Sequence, residues 1–387
     1  MAKNIIIINS LSSGGAERQV SLLLQSLPNL HLILLNGDIH YRIPENVTVS
    51  IIKPKRWHSA IETLLIPYYV MKIKKIIPNK SNVISFLNRS NIINVLLKLF
   101  VHHNAIISER IYTPYHYQKG LKKVFFYLIK FIYQYADTIT ANSFGIKEGL
   151  VNKLSINPEK VIVINNALDN ETLQLQAKEK VNQNVDFFKL HKVILSIGRF
   201  EQQKRQSCLI QAFYELSKEH ENIGLCLIGE GSQKQRCIDL VHQLGVSKKV
   251  LILGKDKNIM KYMSASSCFV LPSEYEGFPN VLIEALFAKL PIISCDCLTG
   301  PREILNQETN YQVPYNSVKS CKYGILIPTA MNKEKELITN LRIAIEMILS
   351  NSELTNEFKL NAHHRIQPLF IKNIMSEWHF LLKGSGS

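Results

Sequence analysis

Short apolar runs alternate with longer amphipathic stretches throughout the chain. In the first half, apolar runs that predict strands lie at 5–8, 30–35, 83–86, 105–108, 138–141 and 161–164. Stretches with helical periodicity lie between several of them, at 16–27, 58–77 and 121–135. Strands that alternate with helices predict βαβ units around a parallel sheet.

The same alternation restarts after a polar stretch at residues 174–186, which we interpret as a linker. Predicted strands follow at 193–197, 224–228, 250–253, 268–271 and 291–294, and predicted helices at 206–217, 233–244, 259–265, 280–289, 339–350 and 353–364. We therefore predict an α/β fold with two Rossmann-like domains, residues 1–180 and 181–365, that face each other across a cleft. A ligand would bind in that cleft, at the carboxyl ends of the strands.

Net charge is distributed unevenly between these halves. Residues 1–182 hold 22 Lys and Arg against 11 Asp and Glu, whereas the remainder holds 24 against 20. Basic, aromatic stretches at 53–75 and 117–126 suit an anionic bilayer surface. Ordinary amphipathic helices with a solvated basic face are the alternative, and the concentration of charge in one half favours membrane contact.

Two further features bear on location. The apolar run at 5–8 is too short for a signal peptide or a membrane span, and no later window is long enough without charge. Seven cysteines without disulfide-type spacing indicate a reducing compartment. We therefore expect a cytoplasmic protein that is at most peripheral on the inner face of the cytoplasmic membrane. The terminal Gly-Ser-Gly-Ser, residues 384–387, is interpreted as a cloning scar.

Three motifs carry candidate chemistry. The first, Ser13-Gly14-Gly15-Ala16-Glu17-Arg18, lies between the first strand and the first helix. Glycines let the backbone approach a ligand, and a helix N-terminus presents N–H groups to an anion. A tight turn without a ligand is an equally good interpretation of this motif alone.

The second motif is Gly198-Arg199-Phe200-Glu201-Gln202-Gln203-Lys204, directly after the first strand of the second half. A forked guanidinium and a compact ammonium, five residues apart, suit a diphosphate and its departure as a leaving group. A solvated basic loop is the alternative for the motif by itself.

The third motif is Glu276-Gly277-Phe278-Pro279-Asn280-Val281-Leu282-Ile283-Glu284. It predicts a loop that ends at a helix N-terminus, with Glu284 just over one turn inside the helix. Helix amides suit phosphate, and a carboxylate suits vicinal hydroxyls of a ribose or a sugar. Alternatively, the two glutamates only cap and solvate the helix terminus.

In combination, these motifs resemble the retaining glycosyltransferases of the GT-B architecture, family four (glycosyl transferases group 1). The resemblance covers residues 4–382 and is weakest between 40 and 100. It implies that Arg199 and Lys204 bind the donor diphosphate and stabilise its departure, and that Glu276 contacts the transferred sugar. The residues that it assigns to donor binding are Gly15, Gly198, Phe278, Pro279, Asn280, Val281, Leu282 and Glu284, of which Glu284 would hold the ribose hydroxyls. It also implies that residues 366–383 pack back on the first domain.

The resemblance further implies a metal-independent reaction with no cofactor, in which the acceptor attacks from the face that the diphosphate leaves. Segments 85–87, 107–110 and 295–305 resemble a bacterial branch that contains N-acetylgalactosaminyltransferases. UDP-GalNAc is therefore the best single donor, with UDP-Gal, UDP-Glc, UDP-GlcNAc and GDP-Man open. A lipid-linked saccharide, as in lipopolysaccharide or O-antigen synthesis, is the expected acceptor.

One position departs from the family pattern. Relatives often place a histidine near the sugar after a central strand of the first domain, where this chain has Glu109 or Arg110. His102 and His103 precede the strand and are expected at the surface.

Two other classes of protein fit the sequence less well. A dinucleotide-dependent oxidoreductase is disfavoured because the Gly-x-Gly-x-x-Gly fingerprint is missing. A non-catalytic membrane- or nucleic-acid-binding protein is disfavoured by the complete donor site and the lack of RNA-type aromatic motifs.

Overall fold

The computed structural model describes residues 3–384 apart from 54, 56, 58, 114–120, 298, 307–312 and 330–332. The chain forms two compact units, one of Met1–Ala167 with Leu369–Ser387 and one of Leu168–Pro368. The boundary thus falls after Ala167, where the sequence pattern places it after residue 180. Parts of the predicted basic segments (Pro54, Arg56 and residues 117–120), together with Leu298 and the last three residues of the terminal tail, lie outside the described residues.

The first unit is built on a parallel sheet whose described strands run in the order β3-β2-β1-β4-β5-β6-β7. These strands are β1 Asn4–Ile8, β2 Leu30–Asn36, β3 Thr48–Lys53, β4 Asn82–Phe86, β5 Asn104–Glu109, β6 Thr138–Ala141 and β7 Val161–Val163. The helices are α1 Gly15–Ser26, α2 Ser59–Leu64, α3 Ile66–Ile73, α4 Asn88–Leu97, α5 Leu121–Ile132 and α6 Phe144–Leu154. The four isoleucines at 5–8 are fully buried, as expected for a central parallel strand with both faces covered.

The helix predicted at 58–77 is divided in two. The α2 helix ends at Leu64 and α3 begins at Ile66, with Pro67 in its first turn. Proline has no N–H to continue the hydrogen-bond ladder and its ring clashes with the preceding turn, so the single helix predicted from periodicity was wrong.

The C-terminal helix, α16 Ile371–Gly384, belongs to the first unit. Trp378 is buried, and its ring centroid lies 6.0 Å from that of Phe86. Asn82 Nδ2 donates to the main-chain oxygen of Leu382 at 3.3 Å. The C-terminal helix therefore packs beside β4, which the first quarter of the chain contributes.

The second unit repeats the architecture with described strands in the order β10-β9-β8-β11-β12-β14-β13. These are β8 Lys192–Ile197, β9 Ile223–Ile228, β10 Val250–Leu253, β11 Cys268–Leu271, β12 Ile292–Cys295, β13 Lys319–Ser320 and β14 Ile325–Ile327. Its helices are α7 Asn170–Gln176, α8 Val185–Leu190, α9 Gln206–Ser217, α10 Lys234–Gln243, α11 Met260–Ser264, α12 Asn280–Phe287, α13 Pro301–Asn306, α14 Glu334–Ser350 and α15 Ser352–Ile366. Only the short β13 pairs antiparallel in this sheet as described. The predicted α/β class with two parallel-dominated sheets is confirmed.

One smaller expectation, a linker without regular structure at 174–186, changed. Short helices, α7 and α8, flank the stretch predicted as a linker.

All seven cysteines are free and buried, and burial raises the pKa of Cys226 and Cys268 to about 12. Within the described residues, no helix has the length and apolar character needed to cross a bilayer.

Candidate active site

The site in the second unit begins where β8 ends. Gly198 N donates to Ile228 O at 3.0 Å, and Phe200 N donates to Glu230 O at 2.9 Å, so the loop continues along the end of β9. A Cβ on Gly229 would lie 2.0 Å from Gly198 O, and one on Gly231 would lie 2.4 Å from Phe200 O. Because both glycines also have positive φ, no other residue fits well at either position. The sequence interpretation missed this pair, although its Gly-Glu-Gly pattern after a strand was a signal.

Lys204 closes the loop at the end of a short 3₁₀ turn, Gln202–Lys204. Its ammonium lies 2.5 Å from Glu276 Oε1, and the two side chains are 14% and 11% exposed. The structure therefore joins the second and third sequence motifs through a largely buried ion pair.

Further contacts fix the two loops against each other. Gln203 Nε2 donates to Tyr275 O at 2.5 Å, and Glu274 N donates to Gln203 O at 2.9 Å. Arg205 Nη2 lies 3.4 Å from Glu274 Oε2. Both main-chain and side-chain hydrogen bonds thus hold Glu276 beside Lys204.

The segment at 295–305 supports Glu276 from its other side. Thr299 Oγ1 donates to the main-chain oxygen of Glu276, and Gly300 N donates to Gly277 O at 2.8 Å. A Cβ on Gly300 would lie 2.4 Å from Gly277 O. The contact of this segment with the Glu276 loop was not predicted from the sequence, because it joins residues 23 positions apart through a loop.

The α12 helix begins at Asn280, as predicted, with Pro279 at its N-cap and no side-chain cap hydrogen bond. Glu284 is only 2% exposed, so it does not solvate this terminus as the alternative interpretation expected. Phe278 and Leu282 are buried, and Leu282 N donates to Pro279 O at 3.1 Å, within the first turn.

Arg199 is the exposed member of the site. Its main-chain oxygen accepts from Gln206 Nε2 at 2.9 Å, which holds the loop, while its side chain is exposed. Burial raises the pKa of Tyr275, and the nearby Arg199 cation partly opposes that rise. The cation of Arg199 thus acts electrostatically on the loop that carries Glu276.

Gly15 lies in the first unit as the first residue of α1. Gly14 is the N-cap, its oxygen accepts from the Tyr41 hydroxyl at 3.4 Å, and Ser12 Oγ donates to Glu17 Oε1 at 3.2 Å. The Glu17 carboxylate lies where a Cβ on Gly14 would be, 2.1 Å from that position. Gly15 itself is exposed at a helix N-terminus, as predicted.

The carboxyl end of β5 carries two unusual side chains. Glu109 is buried, accepts from the Tyr133 hydroxyl at 3.0 Å, and has a pKa that burial raises to about 7. Arg110 is half-buried beside it. The expectation that His103 lies at the surface was wrong, since it is buried and bonded to Val101 O at 3.0 Å and Asn94 Oδ1 at 3.0 Å. His102 is exposed.

Comparison with known proteins decides the family. The sequence profile of the family described as "Glycosyl transferases group 1" matches residues 177–327. The chain is 35% identical over 356 residues to the N-acetylgalactosamine-N,N'-diacetylbacillosaminyl-diphospho-undecaprenol 4-alpha-N-acetylgalactosaminyltransferase of Campylobacter jejuni, across 89% of this chain and 91% of that protein. This chain belongs to the glycosyl transferases group 1 family. It is a glycosyltransferase, of the hexosyltransferase kind predicted from its motifs.

Solved structures of low sequence identity confirm the predicted GT-B fold of this glycosyltransferase. Anabaena Alr3699/HepE in complex with UDP superposes with a TM-score of 0.75 at 16% identity, covering 99% of this chain and all of that one. WaaG, described as a glycosyltransferase involved in lipopolysaccharide biosynthesis, superposes with a TM-score of 0.72 at 14% identity, covering 98% of this chain and 100% of that one.

Proposed function

We propose that this enzyme transfers N-acetylgalactosamine from UDP to a saccharide carried on a lipid diphosphate, with retention of configuration and without a metal ion. The single observation that carries the donor assignment is the Lys204–Glu276 pair beside the N-terminus of α12. The name of the Campylobacter relative supports both the sugar and the diphosphate-linked acceptor. UDP in the complex of the fold relative supports the nucleotide.

The cations and helix amides supply the charge that a metal would otherwise bring. Arg199 and Lys204 would contact the diphosphate, where negative charge develops as the bond to the sugar breaks. The positive end of α12 points its first-turn amides toward the same group. Glu276 would orient the sugar, and Glu284 would accept hydrogen bonds from the ribose hydroxyls.

Proton and bond changes then balance without a protein nucleophile. The acceptor oxygen forms a bond to the anomeric carbon on the face from which the phosphate oxygen departs. The departing phosphate takes the proton of the acceptor hydroxyl. The protein's contribution is to position the two substrates and to stabilise the diphosphate.

A panel of thermal shifts tests the donor. A ligand that binds only the folded protein adds about 2.7 kcal/mol at a hundredfold excess over its dissociation constant. UDP and UDP-GalNAc should raise the melting temperature, whereas GDP and NAD should not. A larger shift with GDP would move the donor to the GDP-sugars, and a shift with UDP-Glc but not UDP-GalNAc would contradict the sugar.

Product analysis tests the rest of the reaction. Transfer from α-linked UDP-GalNAc to a short prenyl-diphosphate saccharide should give an α-anomer, read from the proton coupling of the anomeric signal by NMR. Activity should be unchanged in EDTA. A β-linked product would contradict retention, and activity that EDTA removes and Mg²⁺ or Mn²⁺ restores would contradict the metal-free assignment.

A basic–aromatic face on the first unit supports attachment to a membrane. We define it by exposed apolar side chains on α3 and α5, in the turn after α4 and in the 3₁₀ turn Tyr133–Tyr135, with the lysines between them: Tyr68, Met71, Lys72, Lys74, Lys98, Leu99, Phe100, Lys123, Val124, Tyr127, Leu128, Lys130, Phe131 and Tyr135. On α5 the exposed apolar residues recur at helical spacing, from Val124 through Phe131, which makes one stripe.

Contacts within the basic–aromatic face join its parts. Lys74 Nζ lies 4.6 Å from the ring centroid of Phe100, next to α4. Lys98 Nζ donates to Tyr135 O at 3.1 Å and also pairs with Asp137. The rings of Tyr135 and Phe131 lie 5.4 Å apart, which extends the surface onto α5.

The charge of this region suits an anionic leaflet. Residues 46–136 contain 14 Lys and Arg against two acidic residues, Glu62 and Glu109. Both acids are buried, so the exposed charges among the described residues of this stretch are basic; Asp137, the next acidic residue along the chain, pairs with Lys98. Apolar side chains flanked by lysines are typical of helices that lie in a membrane interface.

Liposome flotation tests the membrane assignment. The wild type should float with vesicles that contain phosphatidylglycerol and not with phosphatidylcholine alone. The double variant Val124→Ser and Phe131→Ser removes side chains that are 67% and 64% exposed on α5. It should lose most binding, whereas Leu175→Ser with Leu190→Ser, which are 65% and 68% exposed in the second unit, should not. Equal loss in both pairs would contradict a dedicated face.

A further inference from the structure

Arg110 directly follows β5, at the carboxyl edge of the sheet in the first unit. Nη1 donates to Ser108 Oγ at 3.3 Å, and Nη2 donates to Asn166 Oδ1. The guanidinium carbon lies 5.5 Å from the ring centroid of Phe86. In the described part of the chain, every polar partner of this guanidinium is neutral, and no carboxylate lies within the 4.0 Å of an ion pair.

This cation is half-buried without a counter-ion. Burial lowers the pKa of Arg110 to about 10, so the group still carries its charge at neutral pH. The adjacent Glu109 does not compensate it, because its carboxylate accepts from Tyr133 and from Ile111 N instead. Holding an unpaired charge away from water is unfavourable unless another group supplies the opposite charge.

A helix N-terminus lies in the same polar network. The α6 helix starts at Phe144 with Ser143 as its N-cap. Asn142, just before it, donates from Nδ2 to Asn166 Oδ1 at 3.4 Å, so Asn166 links Arg110 to the start of α6. The positive end of the helix dipole and the guanidinium therefore lie at one edge of the sheet.

The network also contains an acceptor that lacks a donor. Asn142 is buried, and its Oδ1 has no hydrogen-bond partner among the described residues. A buried acceptor without a partner is uncommon and points to a group that the protein does not itself provide. A cation next to an acceptor matches a sugar phosphate, which offers an anion for Arg110 and a hydroxyl for Asn142.

We propose that Arg110, Asn142 and the N-terminus of α6 form a site that binds a glycosyl diphosphate in the first unit. This inference rests on the proposed function, in which both substrates contain a glycosyl diphosphate: the nucleotide sugar and the lipid-linked acceptor. Arg110 would be a binding residue, because it contacts a substrate phosphate.

Binding measurements on the full chain test the site and identify the source of the phosphate. Calorimetry would give the Kd of UDP-GalNAc for the wild type, Arg110→Gln and Arg110→Lys. A second titration, with UDP saturating, would use farnesyl diphosphate with farnesol as its uncharged match. We expect Arg110→Gln to weaken either UDP-GalNAc or farnesyl diphosphate by about tenfold or more, as for a lost charge-assisted hydrogen bond. Arg110→Lys should retain part of that affinity, and farnesol binding should not change.

Lys80→Gln is the matched control. Lys80 is exposed just before β4, at the amino edge of the same sheet, so this variant removes one charge away from the proposed site. If Arg110→Gln binds both ligands within twofold of the wild type, or loses no more affinity than Lys80→Gln, this inference is overturned and the proposed function is not affected. A wild type that binds neither ligand would overturn the proposed function as well. Melting curves of each variant separate lost binding from lost folding.

Discussion

Lys204 Nζ lies 2.5 Å from Glu276 Oε1, although 72 residues separate them along the chain. One side chain comes from the loop after β8, and the other from the loop before α12. Each ion neutralises the other in a place with little solvent, where an unpaired charge is unfavourable. The pair therefore fixes the position of a cation and a carboxylate before a substrate arrives, which favours catalysis through pre-organised electrostatics.

We expect Lys204→Met to lower kcat by about 100-fold or more, as for loss of one group that stabilises developing charge. Methionine keeps the length of the aliphatic stem but leaves Glu276 without its counter-ion, so we expect a lower stability, and melting curves establish the temperature range in which the variant is folded and can be assayed. Lys234→Met is the matched control, since Lys234 pairs with Glu230 at 2.8 Å on the surface of the same unit. Steady-state kinetics with UDP-GalNAc measure the effect. Turnover by Lys204→Met at the rate of Lys234→Met would remove Lys204 from the reaction.

Glu284→Gln should weaken UDP binding by about tenfold or more, because a hydrogen bond to a charged group contributes about 1.5–3 kcal/mol. Because the carboxylate is buried in the second turn of α12, we expect its replacement to change the contact with the ribose and not an interaction with bulk solvent. Glu215→Gln, on the exposed surface of α9, is the control. Calorimetric titration with UDP and with inorganic pyrophosphate, which has no ribose, separates a ribose contact from a general loss of diphosphate binding. Equal weakening of both ligands would contradict a ribose contact.

The local pattern of hydrophobic residues predicted the bounds of several short apolar strands correctly. The strands at 138–141, 250–253 and 268–271 have the predicted bounds, because each is a short run bounded by turns. By contrast, β3 was missed, since its edge position leaves Thr48 and Val49 exposed and its apolar signal weak. The α4 helix was missed because Asn88, Asn91 and Asn94 are polar yet buried.

Those asparagines can be buried because residues distant in the sequence accept hydrogen bonds from their side-chain amides. Asn91 Nδ2 donates to Ser108 O at 3.1 Å, and Asn94 Nδ2 donates to Val83 O at 2.9 Å. No local pattern encodes such partners. The same limit applies to the site: the motifs around Lys204 and Glu276 could be read from the sequence, whereas the support from Thr299 and the glycines at 229 and 231 depends on chain segments that meet only in the fold.

Two glycines of the site should respond differently to alanine. In Gly300→Ala the new Cβ would lie 2.4 Å from Gly277 O and 2.7 Å from Phe278 Cα, so the loop that carries Glu276 must move. We expect a loss of about 1–3 kcal/mol in the free energy of unfolding, as for overpacking, together with lower activity.

In Gly198→Ala the nearest atoms are Lys204 Cδ and Cε at 3.7 Å, which is ordinary contact. This variant should keep its stability, and a selective loss of UDP affinity would support the close approach of a phosphate at Gly198. Urea denaturation and UDP titration of both variants measure the contrast. Equal stability of the two variants would contradict the steric role of Gly300.

Glu109 should make the stability of the protein depend on pH. Burial raises its pKa from 4.5 to about 7 in the folded protein, so between these values the folded state holds a proton that the unfolded state has released. Stability from this group is therefore fully present below pH 4.5 and is lost as pH rises through about 7. Relative to Glu109→Gln, which stays neutral, the wild type should lose about 3 kcal/mol between pH 4 and pH 8. Urea denaturation of both proteins across this range measures the difference, in which the other titrating groups cancel.

Tyr133→Phe removes a hydrogen bond that lowers the pKa of Glu109, so the loss of stability should move to higher pH. Parallel curves for the wild type and Glu109→Gln would show that the carboxyl group titrates alike in the folded and unfolded chains.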